Sequence, residues 1–63
     1  MISKMTAKNI LKDAGAERVS DDAAVELADV VNKFAYGVAK KAVKLAAHAK
    51  RTTIKRPDID LAK

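Results

Sequence analysis

One stretch governs what this chain of 63 residues can become. From Asp21 to Ala49, the residues Leu27, Val31, Phe34, Val38, Ala42, Leu45 and Ala49 recur at spacings of four, three, four, four, three and four. Residues spaced this way share one face of an α-helix. Ala24, Ala28, Ala35, Ala39 and Ala46 widen the stripe. About 29 residues rising 1.5 Å each span roughly 43 Å. A compact chain of this size has a diameter of only about 27 Å. The helix therefore overhangs any globule its own chain can form. Two short flanking helices cannot cover the stripe, but a second copy crossing near its middle can. The lengths alone predict an obligate dimer with Leu27, Val31, Phe34, Val38 and Leu45 in its core. Gly37 costs about 1 kcal/mol relative to Ala in a helix interior, unless it lets another helix approach closely.

The flanks read as two shorter helices. Ser3 or Thr6 is placed to cap a first helix over about 4–14, whose Ala7, Ile10, Leu11 and Ala14 share a face. Gly15 is a natural stop. After a loop over 15–20, Ser20 reads as the cap of the long helix at about 21–49, with Asp21 and Asp22 complementing its dipole. A second loop covers about 50–55, and its Arg51-Thr52-Thr53-Ile54 stretch favours β-structure. Pro57 suits the first position of a last helix over about 57–63. The expectation is one all-α domain over 1–63: short helix, long helix, short helix.

Composition supports the need for a partner. So short a chain buries only about 60% of its unfolded surface. Of its 31 hydrophobic residues, 13 are Ala. It has no Cys and one His, which excludes a disulfide framework and a thiolate metal site and leaves no expected metal or cofactor. No apolar run is long enough for a membrane span or a signal-peptide core, so a reducing cell interior is expected. The charge of +5 is uneven. Residues 1–31 carry four basic and six acidic side chains, and residues 32–63 carry nine basic and two acidic. That excess points the second half toward an anionic partner.

Two segments then carry a resemblance. Lys12-Asp13-Ala14-Gly15-Ala16-Glu17-Arg18-Val19-Ser20-Asp21-Asp22-Ala23 resembles the first loop of an archaeal histone. Ala42-Val43-Lys44-Leu45-Ala46, then His48-Ala49-Lys50-Arg51-Thr52-Thr53-Ile54-Lys55 and Asp58-Ile59-Asp60-Leu61-Ala62, resemble that family's second loop and third helix. The resemblance runs from about residue 7 to the end. It implies the histone fold, a head-to-tail intertwined dimer in which each first loop lies beside the partner's second loop.

The resemblance also implies roles. Arg18 matches the loop arginine that enters the DNA minor groove, and Thr53 the threonine paired with it across the dimer. Ser20 would offer a hydroxyl and backbone N–H groups to a phosphate. Lys12, Lys50 and Lys55 would add phosphate contacts. Asn9 and Thr52 occupy DNA-facing positions that are usually basic in the family, with Lys50 and Arg56 partly restoring the charge. Arg51 and Asp58 match a buried pair tying the second loop to the third helix. Leu45, His48 and Asp58 match the surface through which dimers stack into tetramers or longer assemblies. The third helix is expected to end about one turn sooner than the family's, and the family's glycine near the crossing falls at Ala35. Lys40, Lys41 and Lys44 read as a solvated helix face.

The function expected is an architectural DNA-binding protein, located at the chromosome in the cytoplasm. It would dimerise, bind duplex DNA largely without sequence preference, and bend, wrap or compact it. The alternative is a histone-fold subunit that forms heterodimers in a transcription-related complex. A membrane-active helix is disfavoured by the acidic first half of the long helix and its Ala-rich face. No nucleophile–base pair, metal set or phosphate loop for an enzyme can be assembled, and no small-molecule substrate is expected.

Overall fold

A computed structural model describes residues 1–63. Three helices follow one another: α1 (Lys4–Asp13), α2 (Asp21–His48) and α3 (Arg56–Ala62). The short–long–short order expected from the apolar spacing is present. Four boundaries differ by one residue, the end of α3 at Ala62 rather than Lys63 among them. Ala14 is the cap of α1 rather than its last turn, α2 ends at His48 rather than Ala49, and α3 starts at Arg56. Pro57 therefore takes the second helical position instead of the first, because Lys55 is the cap. Residues 51–54 form no strand, since the chain supplies no other strand to pair with them.

The chain divides into two units, Met1–Lys33 and Phe34–Lys63. In the first, Ser3 caps α1, the Thr6 N–H donating to its Oγ at 3.2 Å. Ser20 does the same for α2, accepting from the Ala23 N–H at 3.2 Å. Each cap satisfies a backbone donor that a helix start leaves orphaned. Ala7, Ala24 and Ala28 form the core, with Ile2, Val19 and Leu27 packed against it. Asn32 pins the N-terminal segment: its Oδ1 accepts from the Ile2 N–H at 2.9 Å, and its Nδ2 donates to the Ile2 carbonyl at 3.4 Å. The Lys8 ammonium bridges to Asp21 at 2.8 Å, with Lys4 at 3.8 Å. The Lys8 bond and then the Lys4 charge hold the Asp21 carboxyl below its usual range.

In the second unit, Ala42, Ala46 and Ala62 are buried together with Asp58. Throughout the chain, every buried apolar residue is an alanine, while Phe34 is 69% exposed and Val30 is exposed as well. Leu27, Val31, Val38 and Leu45 are half-buried. Gly37 has open space where a side chain would go, so no element of this chain uses it for close approach. No helix is long and apolar enough to cross a membrane.

Candidate nucleic-acid interface

Each of the two loops begins where a helix ends in the same hydrogen-bond pattern. After α1, the Ala16 N–H donates to the Leu11 carbonyl and the Gly15 N–H to the Lys12 carbonyl, both at 3.0 Å. After α2, the Arg51 N–H donates to the Ala46 carbonyl at 2.8 Å and the Lys50 N–H to the Ala47 carbonyl at 2.9 Å. This paired closure requires one residue in the left-handed region. Gly15 fills that place at φ 116° in the first loop, and Lys50 fills it at φ 60° in the second.

The first loop presents Arg18 and Ser20, and α1 presents Asn9 and Lys12 beside it in sequence; all four are exposed. Arg18 enters no ion pair, so its guanidinium is free for an external anion. Ser20 already accepts the Ala23 N–H, which leaves its hydroxyl proton to donate outward.

The second loop presents Lys50, Thr52, Thr53 and Lys55, again all exposed. Its shape is held by Arg51. That guanidinium grips Asp58 with both prongs, Nη1 to Oδ2 at 2.8 Å and Nη2 to Oδ1 at 2.6 Å, and Nη1 also donates to the Thr53 carbonyl at 3.0 Å. Asp58 is 3% exposed and accepts a further bond from the Lys55 N–H at 2.8 Å. Two-pronged pairing of this kind fixes direction as well as distance. The Arg51 bond, then the Lys55 N–H, lowers the Asp58 pKa to about 2, and Asp58 in turn holds the proton on Arg51 more tightly. Arg51 thus positions Thr53 through its backbone and ties the loop to the first turn of α3.

Sequence reasoning did not anticipate the left-handed Lys50, for Lys carries no local signal for that conformation. It also missed the Asn32–Ile2 clamp, whose members are 30 residues apart, and Lys40 resting 5.6 Å from the Tyr36 ring.

A chain of a short, a long and a short helix, with an exposed arginine in the loop before the long helix and a clamped basic loop after it, is a histone-fold protein by class. The family model described as histone-like transcription factor (CBF/NF-Y) and archaeal histone matches residues 3–62, and the chain belongs to that family. Among curated relatives, it is 49% identical over 53 residues to one of the subunits of archaeal histone HAN1 from Thermococcus zilligii. It is 47% identical over 53 residues to probable archaeal histone 3 of Methanocaldococcus jannaschii. Each match covers 84% of this chain and 79% of the relative.

Proposed function

We propose that this chain is an architectural histone. Two copies pair head to tail, bind duplex DNA through phosphates and minor-groove arginines with little sequence preference, and bend, wrap or compact it at the chromosome. The observation that carries this reading is Arg18: exposed, free of any carboxylate, and seated in the loop that most resembles the family's DNA-facing segment. A narrow minor groove concentrates negative potential, and an arginine there needs no base-specific contact. Ser20, Lys12, Lys50 and Lys55 serve phosphates, Asn9 and Thr52 add uncharged contacts, and Thr53 stands with the partner's first loop. The all-alanine core of a single chain supports the pairing, since Phe34 and Val30 have nothing to cover them. Leu45, His48 and Asp58 are the family's stacking positions, with Asp58 here engaged by Arg51.

A mobility-shift titration at several salt concentrations tests the reading. Each phosphate neutralised adds about −0.9 to the slope of log affinity against log salt. Binding that ignores salt, or no binding, refutes it. Micrococcal nuclease digestion separates the modes: a regular ladder reports stacked wrapping, and one protected length reports isolated units.

A second reading keeps the fold and makes the chain one half of a heterodimer, and the same exposed apolar face supports it. A chain that stays unfolded until a different chain is added would favour this reading. A homodimer instead gives a cooperative transition whose midpoint rises with protein concentration.

A further inference from the structure

Within the first unit, the start of α2 meets two opposed demands. Its first turn holds Asp21 and Asp22, whose charges suit the positive end of the helix. The same end is where the phosphate assigned to Ser20 would seat. Donors for it are free there. The cap takes only the Ala23 N–H and the Ala24 N–H goes to the Ser20 carbonyl, which leaves the Ser20 hydroxyl proton and the Asp21 and Asp22 N–H groups. A bare carboxylate beside these donors repels the anion they would bind. One of the two carboxylates is not bare. Lys4, Lys8 and Lys12 stand four residues apart along α1. Lys8 reaches Asp21 Oδ1 at 2.8 Å and Lys4 reaches Oδ2 at 3.8 Å, so two ammonium groups meet one carboxylate. Lys12 enters no ion pair.

We propose that Lys8, with Lys4 beside it, is a positioning residue for DNA: it cancels the charge of Asp21 so that a phosphate can seat at Ser20, and it does not touch the phosphate itself. The inference rests on the DNA reading above and adds to it a residue that lies in neither loop. Two features favour cancellation over direct contact. The Lys8 ammonium is already committed to Asp21, and its side chain is only 29% exposed, whereas Lys12 is unpaired and exposed. The Asp21 carboxyl is also held below its usual range, by the Lys8 bond first and the Lys4 charge second. It therefore stays ionised wherever the protein meets duplex DNA and needs its counter-charge there. Two positive charges and one negative leave this group net positive, where Asp21 alone would be negative.

Breaking the pair from either end tests this, because the two breaks should act in opposite directions on duplex affinity. Lys8→Gln bares Asp21, and affinity at low salt should fall about fivefold. Asp21→Asn frees both lysines, and affinity should equal or exceed that of wild type. Lys8→Gln/Asp21→Asn restores the original net charge of the group and should bind within about twofold of wild type, with the same salt slope. Lys8→Arg keeps the charge and should bind as wild type does. Circular dichroism at the titration temperature checks that each variant is folded. Lys4→Gln, at the longer distance, should show a smaller loss of the same sign and serves should Lys8→Gln not fold. The proposal is overturned if Asp21→Asn binds more weakly than wild type, for the pair then only holds α1 to α2. It is overturned too if the double variant stays as weak as Lys8→Gln, with a salt slope shallower by about 0.9, for Lys8 then contacts a phosphate directly. A Lys8→Gln variant that binds as tightly as wild type also overturns it. Wild type that binds no duplex refutes the DNA reading and this inference with it, whereas these failures on a wild type that does bind refute this inference alone.

Discussion

The two loops share one way of leaving a helix and differ in everything that follows. In the first, glycine takes the left-handed residue without strain, and no side-chain clamp crosses the turn. In the second, a lysine is held in a conformation that costs a side-chain-bearing residue on the order of 1–2 kcal/mol, and an ion pair between the half-buried Arg51 and the buried Asp58 braces the segment beyond it. Strained backbone persists only where its surroundings hold it. The contrast indicates that the second loop is built to present Lys50, Thr52 and Thr53 in one arrangement, whereas the first offers Arg18 on an unbraced turn.

The largest way to break that contrast is Asp58→Ala. It leaves the Arg51 guanidinium without its partner and removes the acceptor of the Lys55 N–H. Stranding one member of a pair is far more damaging than losing both. We expect the thermal midpoint to fall by on the order of 10 °C and DNA affinity to fall with it as the second loop loosens. The acid limb gives the same information by another route. The folded-state pKa of Asp58 is lowered to about 2 from an ordinary 3.8. Its contribution is thus complete above pH 4 and is lost as pH falls through 2. Melts at pH 5, 3 and 2 should show the gap between wild type and Asp58→Asn closing toward the acid end. A gap independent of pH would mean the pair does not brace the loop.

Arg18→Ala probes the other side of the comparison. With no clamp and no ion pair to disturb, the melting midpoint should stay within about 2 °C of wild type, as for most surface changes. Binding should weaken on every DNA sequence alike, and the salt slope should become shallower by about 1 for each phosphate no longer neutralised. A variant that lowers stability as much as affinity would show the first loop to be a structural element after all.

Much of this was legible in the sequence, and unevenly so. The long helix, its Ser20 cap and the Gly15 stop all follow from spacings and residue types within a few positions of each other. The expectation of a partner rests on the same kind of reading, a stripe longer than the globule its own chain can form. The Arg51–Asp58 contact was implied only by resemblance to archaeal histones, since nothing local distinguishes a buried pair from a solvated one. Lys50 was legible as a charge but not as a strained residue. Only the closure of α2 onto Ala46 and Ala47 reveals its conformation. Asn32 gave no sign, for its partner is the backbone of Ile2 at the far end of the unit. Short-range rules reach caps and turns, and they stop at contacts made by tertiary folding.

The smallest expected effect is also the most direct comparison of the loops, a paired exchange at the left-handed positions. Gly15 has open space where a Cβ would sit, so Gly15→Ala pays only for its backbone conformation. It should lower stability by roughly 1–2 kcal/mol. Lys50→Gly should raise it by about 1 kcal/mol, because glycine adopts the same turn freely. DNA affinity should not follow stability. Gly15→Ala leaves every basic group in place and should bind nearly as well as wild type at temperatures where it stays folded. Lys50→Gly, though more stable, removes a cation from the braced loop and should bind less tightly, with a shallower salt slope. Urea melts and salt-dependent titrations on the same two proteins measure both quantities. If Lys50→Gly gains stability and keeps full affinity, the strained lysine has no part in binding. If it gains nothing, the left-handed turn is not strained, and the proposed difference between the loops rests on the Arg51–Asp58 brace alone.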